Sequence, residues 1–179
     1  MKHIVLGVSG SIAAYKAAEL ANQLTKAGYG VHVILTEAAQ QFITPLTFQT
    51  LTKNKVHTGL FEAAVPMEVE HISLAKRADL VLLAPATANL IGKLANGIAD
   101  DMLTTVAMAA WRKPTIICPA MNTQMYENPA QLENLARLQA RGCTVVEPKS
   151  ALLACGDIGK GAFADFFDIM VAVKAALEG

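Results

Sequence analysis

Cysteine is scarce in this sequence, and the three cysteines that it has are far apart. Cys118, Cys143 and Cys155 are odd in number and lack the close spacing of metal ligands. Scattered cysteines of this kind are typical of a reducing compartment. The start of the chain also lacks a small-residue cleavage pattern after an apolar block, so it does not match a secretory signal. We therefore expect a cytoplasmic protein.

Charged residues are also few, at 17% of the chain, and the two signs balance. Lys and Arg number 15 and Asp and Glu number 15, which gives a formal net charge of zero at pH 7. Nucleic-acid binding requires clustered cations to contact phosphates, and the sequence contains no such cluster. We therefore expect no nucleic-acid partner.

Long hydrophobic runs are absent. No apolar run reaches the roughly 18 residues that a membrane-spanning helix needs, so we expect no membrane partner. Apolar residues nevertheless make up 53% of the 179 residues, somewhat above the roughly 45–50% of an average soluble domain. An apolar surplus without a membrane span commonly lies at a contact between subunits. The composition therefore favours an oligomer.

What the chain does contain is an alternation of strand-like and helix-like segments. Apolar runs of strand length occur at 3–9, 31–36, 79–86, 114–120 and 144–148. Helical stretches fall near 11–27, 37–52, 88–95, 100–111, 129–141 and 165–178. This alternation predicts a doubly wound α/β fold of flavodoxin or Rossmann type, with a mainly parallel sheet covered on both faces, in one domain over residues 1–179. We interpret the long segments 53–70 and 149–164 as lids or binding loops.

In such a fold the ligand lies beyond the carboxyl ends of the strands, so the residues that follow each strand are the candidates. After the first strand, Gly10 permits a tight turn and Ser11 is a good N-cap for the next helix. Free backbone N–H groups there also favour an anion. The sequence favours two roles for this turn equally, helix capping alone and phosphate binding. Thr36, which ends the second strand, supplies a hydroxyl that suits a second contact to a monophosphate.

Two later strands are followed by amides. Thr87 is suited to cap the next helix, and Asn89 lies in the first turn of that helix, where both groups also suit a flat heterocycle. Asn122 stands among apolar neighbours in "PAMNTQMY", where an amide without partners costs free energy. It is either a structural amide that ties the loop together or a group that contacts a ligand.

A histidine and a cysteine complete the candidates. His71 opens "HISLAKRAD" after the long segment 53–70, and it is either a surface or structural histidine or a functional one. Cys155 lies in "ACGDIGKG", whose glycine spacing predicts a flexible flap that brings the thiol to a closed site. The alternative is a small buried hydrophobic residue.

Four motifs in this order resemble one family. They are "GSI" at 10–12, "HISL" at 71–74, "PAMNTQMY" at 119–126 and "ACGDIGKG" at 154–161. The sequence resembles the flavin-dependent cysteine decarboxylases (HFCD flavoproteins), over nearly its whole length. It is most similar to the branch that acts on phosphopantothenoylcysteine in coenzyme A biosynthesis. Tyr126 stands where the family commonly has tryptophan, and Ala162 stands where many bacterial members have arginine.

The resemblance implies a cofactor, a substrate and a set of roles. It implies FMN bound by Gly10, Ser11, Ile12, Thr36, Thr87, Ala88, Asn89 and Ala120. It implies that His71 is the catalytic base, Asn122 the clamp for the substrate carboxylate, and Cys155 the proton donor. It implies a small-molecule substrate that is oxidised at its thiol to a thioaldehyde, loses carbon dioxide and is reduced again from the ene-thiol. The resemblance also implies a homotrimer or a homododecamer, in which His71 and Asn122 of one site come from different subunits.

Other hypotheses compete with this one. A peptidyl-cysteine decarboxylase stops at the ene-thiol and lacks the reductive cysteine loop, whereas "ACGDIGKG" is present here. A flavin prenyltransferase shares the fold but not the "PAMN" motif. A non-catalytic, flavin-binding regulatory homologue has lost one or more of the matched residues, whereas His71, Asn122 and Cys155 all stand. The motifs therefore favour the complete decarboxylase.

Overall fold

A computed structural model describes residues 1–60, 69–154, 156 and 158–178. The strands are β1 (His3–Val8), β2 (Gly30–Leu35), β3 (Val56–His57), β4 (Leu80–Ala86), β5 (Thr115–Pro119), β6 (Thr144–Val145), β7 (Lys149–Leu152) and β8 (Ile158–Ala162). The helices are α1 (Ala14–Lys26), α2 (Pro45–Thr52), α3 (Glu70–Arg77), α4 (Ala88–Ala95), α5 (Met102–Ala109), α6 (Thr123–Tyr126), α7 (Pro129–Ala140) and α8 (Phe166–Glu178). Among these residues no helix is long and apolar enough to cross a membrane.

The first six strands form a parallel sheet in the order β3-β2-β1-β4-β5-β6. The chain moves outward from β1 to β2 and β3, then returns to place β4 on the other side of β1. This reversal opens a crevice between the loops that follow β1 and β4, which is where doubly wound sheets bind ligands. The predicted fold class is therefore confirmed.

Both faces of the sheet are buried because the central strands carry apolar residues at consecutive positions rather than at alternate ones. On one face, Leu6 and Val33 belong to a core cluster with Phe48 and Val173 from the covering helices. On the other face, Val5 belongs to a second cluster, which α3, α4, α5 and α7 help to form. The apolar runs that predicted strands thus fill two helix–sheet layers at once.

The start of α1 differs from the prediction. The expectation that Ser11 caps this helix is wrong, because the helix begins at Ala14 and its N-cap residue, Ala13, has no side-chain cap. The chain first makes a turn in which the N–H of Ser11 donates to the carbonyl of Ser9 at 2.8 Å. The hydroxyl of Ser11 accepts from the N–H of Ala13 at 3.2 Å inside that turn. The five residues from Ser9 to Ala13 therefore form a turn between β1 and the helix.

The two long segments also contain regular structure. Residues 149–164, interpreted from the sequence as a loop, include the antiparallel hairpin of β7 and β8. The segment 53–70 includes the short edge strand β3, while its residues 61–68 lie outside the described part of the chain. The predicted helix at 37–52 is divided, since a 3-10 turn at Ala39–Gln41 is followed by α2, which begins at Pro45.

Candidate active site

A cavity of about 920 Å³ lies at the carboxyl ends of β1, β2, β4 and β5. Its volume is near the upper end of the roughly 300–1,000 Å³ that is usual for small-molecule sites. The predicted site residues that line it are Gly10, Ser11, Ile12, Thr36, Thr87, Ala88, Asn89, Ala120 and Asn122. The strand ends therefore bring together residues that are more than a hundred positions apart in the sequence.

The turn after β1 forms a cradle of backbone N–H groups. Gly10 packs so closely on the next loop that a Cβ added to it would lie 2.5 Å from the Cβ of Ala38. Within the described residues, the backbone N–H groups of Gly10 and Ile12 have no hydrogen-bond partner. Nearby, the hydroxyl oxygen of Thr36 accepts from the N–H of Ala39 at 3.2 Å, so its own proton remains to be donated. Donors without partners at a glycine turn suit a phosphate.

Ser9 joins the two loops on either side of the crevice. Its hydroxyl donates to the carbonyl of Pro85 at 2.8 Å and accepts from the N–H of Thr87 at 2.9 Å. Ser9 is only 2% exposed, so both bonds are shielded from water. The sequence analysis missed this role, because "GVSGS" shows a serine near glycines but not a partner 76 residues away.

The loop after β4 carries the helix α4 to the cavity. Thr87 is the N-cap of this helix, and its hydroxyl oxygen accepts from the N–H of Leu90 at 3.3 Å. The cap fixes the first turn of α4, so Ala88 and Asn89 lie against the cavity. The capping role that the sequence favoured for Thr87 is confirmed, and the same residue also lines the site.

Asn122 serves the loop and the cavity together. The N–H of Ala120 donates to the carbonyl of Ala86 at 3.0 Å, which holds the end of β5 against β4. Asn122 is then the N-cap of α6, and its side-chain oxygen accepts from the N–H of Gln124 at 2.8 Å. The residue also lines the cavity. The two alternatives raised by the sequence are thus compatible, because the side-chain oxygen of Asn122 caps α6 and the residue also lies at the cavity.

One lysine of the cavity is already paired with acidic residues. Lys93 lies 2.7 Å from Asp100 and 3.6 Å from Asp101, measured from its Nζ to a carboxylate oxygen. The hydrogen bond with Asp100 raises the pKa of Lys93 above its ordinary value. This cation is therefore occupied in joining α4 to the start of α5.

His71 is not among the described residues that line the cavity. It lies on α3, whose first residue, Glu70, contacts the edge of the sheet: a Glu70 oxygen lies 2.7 Å from the Nζ of Lys55 and 2.9 Å from the Nδ1 of His57. The neighbours of His71, Val69 and Ile72, are exposed apolar residues. Within one chain, the structure thus does not bring His71 and Asn122 to the same cavity.

Cys155 lies outside the described residues. The residues around it in sequence, Leu153 and Ala154, line the cavity, as do Gly161 and Ala162 of β8. Of the other cysteines, Cys118 is buried in β5, and burial raises the pKa of its thiol well above the ordinary range. A thiol of that kind does not ionise readily, so Cys118 is a core residue.

Comparison with known proteins gives a consistent result. A family model described as Flavoprotein matches residues 1–178. A probable phosphopantothenoylcysteine decarboxylase of Streptococcus mutans is 52% identical over 177 residues, which cover 98% of this chain and 99% of that protein. The chain belongs to the flavoprotein family. The coenzyme A biosynthesis bifunctional protein CoaBC of Bacillus subtilis is 51% identical over 160 residues, or 89% of this chain and 39% of that protein.

Solved structures agree with the fold. A mutant of PPC decarboxylase complexed with pantothenoylaminoethenethiol has a TM-score of 0.88 and 31% identity, covering 99% of each chain. The FMN binding protein AtHal3 has a TM-score of 0.84 and 32% identity, covering 99% of this chain and 97% of its own. The FMN-dependent cysteine decarboxylase SpaF has a TM-score of 0.86 and 29% identity, covering 99% of this chain and 96% of its own.

Proposed function

We propose that the chain is a cytoplasmic phosphopantothenoylcysteine decarboxylase that uses FMN and forms 4'-phosphopantetheine. The observation that carries the proposal is that Asn122 and the N–H cradle at Gly10 and Ile12 share one cavity. The names of the relatives, two of which are 51% and 52% identical, support the same reaction. The free thiols of Cys118 and Cys143 fit a reducing compartment.

The residues of the cavity fit the phosphate and ring of FMN. The N–H groups of Gly10 and Ile12 and the hydroxyl of Thr36 are donors for the phosphate. The start of α4, with Asn89 in its first turn, offers polar groups beside a flat ring. When bound, the flavin accepts the electrons that leave the substrate thiol and returns them after carbon dioxide has departed.

Asn122 orients the substrate. Because its side-chain oxygen accepts from the N–H of Gln124, the amide has a defined orientation and its N–H₂ end is the donor that suits a carboxylate. A neutral donor holds the carboxylate without pairing its charge. The negative charge of the carboxylate therefore stays available to form the second C=O bond as carbon dioxide leaves. A lysine in this place would pair with that charge and stabilise the carboxylate instead.

His71 and Cys155 move protons. The imidazole of His71 takes the proton of the substrate thiol as that thiol is oxidised, because histidine is the side chain that proteins use most often as a general base. The thiol of Cys155 then gives a proton to the carbon from which carbon dioxide has left. An enzyme without this second donor stops at the ene-thiol, and the presence of Cys155 supports the complete reaction.

The assembly that completes the site is a homotrimer, alone or as part of a homododecamer. His71 lies outside the cavity of its own chain, and the exposed apolar residues Val69 and Ile72 flank it. The cavity likewise has exposed apolar residues at its edge, among them Ile12 and Leu152. A neighbouring subunit that covers both surfaces supplies the missing base to each site.

The test is a single turnover of phosphopantothenoylcysteine by the purified holoprotein without oxygen. We expect carbon dioxide, 4'-phosphopantetheine and oxidised flavin at the end. Cys155→Ser should still release carbon dioxide but leave the ene-thiol and reduced flavin, because a hydroxyl is a much weaker acid than a thiol of pKa about 8.5. A peptide that ends in cysteine is the second substrate. If the parent protein converts only the peptide, and stops at its ene-thiol, the assignment is wrong and the peptidyl-cysteine alternative holds.

A further inference from the structure

Three side chains from separate segments meet beside the cavity, and we call them the Tyr126 cluster: Tyr126, Glu147 and Lys160. The hydroxyl of Tyr126 donates to Oε2 of Glu147 at 2.8 Å, and Nζ of Lys160 lies 2.6 Å from the same oxygen. The Nζ also lies 5.3 Å from the centre of the Tyr126 ring. The hydrogen bond from Lys160 lowers the pKa of the Glu147 carboxyl, so both contacts are made to a carboxylate.

The cluster connects α6 to the hairpin of β7 and β8. Tyr126 is the last residue of α6, which begins after Asn122, whereas Glu147 precedes β7 and Lys160 lies within β8. The backbone also joins these two segments, because the N–H of Met121 donates to the carbonyl of Gly161 at 3.0 Å. A Cβ on Gly161 would lie 2.3 Å from the carbonyl oxygen of Met121. The hairpin therefore lies directly against the loop that carries Asn122.

The hairpin depends on such contacts for its position. Two antiparallel strands alone are marginally stable in water. The apolar side chains nearest its turn, Leu152 and Ile158, are 70% and 82% exposed, so they do not anchor it in the core. At the other end, Phe163 is buried and holds the hairpin to the main sheet. The Tyr126 cluster is a polar side-chain contact that lies between this anchored end and the turn.

We propose that the Tyr126 cluster positions the hairpin for the second half of the reaction, in which the decarboxylated product is reduced. This inference rests on the proposed function, because Cys155 lies in sequence between β7 and β8. In that half, the Cys155 thiol would give a proton to one carbon of the ene-thiol double bond, and a bound reduced flavin would supply the hydride for the other. The double bond would become single, the flavin would be left oxidised, and the Cys155 thiolate would regain a proton from solvent.

The first half of the reaction depends much less on the cluster. Asn122 is oriented by its own bond from Gln124, and the end of β5 is held by the bond between Ala120 and Ala86. The ring of Tyr126 is only 5% exposed and packs in the core, so Tyr126→Phe removes the hydrogen bond while keeping α6 in place. Loss of the cluster should therefore separate the two halves of the reaction.

The first measurement is hydrogen exchange of the flavin-free protein, which does not depend on activity. The backbone amides of β7 and β8 should exchange about tenfold faster in Tyr126→Phe and in Lys160→Met, since a hydrogen bond to a charged acceptor shifts an opening equilibrium by about that factor. Lys149→Gln is the matched control. It removes a cation from the same hairpin, but that cation pairs with Asp165 beside the buried Phe163. Its exchange should equal that of the parent.

The second measurement is a single turnover of the holoprotein. In Tyr126→Phe and Lys160→Met, carbon dioxide should be released at the parent rate, whereas the fully reduced thiol should form about tenfold more slowly while the ene-thiol accumulates. Because both contacts end on one oxygen of Glu147, the double variant should be slowed by less than the product of the two single effects. Lys149→Gln should match the parent in both steps.

Two results would overturn the inference alone. One is reduction of the ene-thiol at the parent rate in both single variants. The other is an equal slowing of carbon dioxide release and of reduction, because the cluster then orients Asn122 instead of the hairpin. If the parent protein releases no carbon dioxide, the proposed function itself fails, and this inference fails with it.

Discussion

Replacing Gly10 by alanine tests where the cofactor phosphate binds. The added Cβ would lie 2.5 Å from the Cβ of Ala38 and 3.0 Å from its carbonyl carbon, so backbone has to shift. The loop of Ala38 does not yield easily, because the N–H of Ala39 is bonded to both oxygens of Thr36. Overpacking of this kind costs roughly 1–3 kcal/mol. A displaced turn that also loses one N–H bond to a charged phosphate loses about 1.5–3 kcal/mol of binding.

We therefore expect Gly10→Ala to weaken FMN binding on the order of 100-fold, which corresponds to about 3 kcal/mol. Flavin-free protein is titrated with FMN and, separately, with riboflavin, and the quenching of flavin fluorescence is followed. Since riboflavin has no phosphate, its affinity should change much less, and the preference of the parent for FMN should shrink. Gly92→Ala in α4 is the control, because its Cβ would meet nothing closer than 3.7 Å. FMN affinity should be unchanged in the control.

The reasoning is refuted if Gly10→Ala binds FMN as tightly as the parent while keeping its fold. It is also refuted if the variant loses riboflavin and FMN affinity to the same extent, because the turn then supports the ring and not the phosphate.

The remaining predictions concern assembly, capping and pH. A mixture of His71→Asn and Asn122→Asp variants should regain part of the activity through hybrid assemblies, and a monomer in light scattering would exclude this. Thr87→Ala should lower the free energy of unfolding in urea by about 1 kcal/mol, because α4 loses its cap; an unchanged value contradicts the cap. Burial, with nearby Arg77, lowers the pKa of His32 from 6.5 to about 4. Because the unfolded chain then binds the proton more tightly, stability should be complete above about pH 6.5 and fall by up to about 3 kcal/mol towards pH 4, a loss that His32→Gln should reduce.

The sequence predicted the strands of the main sheet where burial on both faces leaves a continuous apolar run, as in β1 and β4. It did not predict β3, because the two residues Val56 and His57 carry no period of their own. The hairpin was also missed, since β8 contains two glycines and exposed positions that resemble a loop. Its strands are ordered by contacts with residues 121–126, which no local pattern contains. The elements that the sequence did not predict are therefore short ones that tertiary contacts hold in place.

The residues of the candidate site also divide into those that the sequence predicted and those that it did not. Positions directly after strands, such as Thr87 and Asn122, were predictable because parallel strands end at one edge of the sheet. The bridge made by Ser9 and the Tyr126 cluster were not, because each joins segments distant in sequence. The error at Ser11 also has a cause distant in sequence: the alanines of "GSIAA" favour a helix, but the close approach of Gly10 to Ala38 holds the chain in a turn before the helix begins.

The separation of His71 from the cavity of its own chain has a consequence for mixed populations in a cell. On the two-chain site proposed above, every working site draws one intact half from each of two neighbours. When a chain defective in both halves is co-expressed with the parent, activity should fall as the square of the intact fraction rather than in proportion to it. A defective allele should therefore be dominant negative, because its folded product inactivates sites that it shares with normal chains. An allele whose product does not fold should lower the activity only in proportion to the normal chains that are lost.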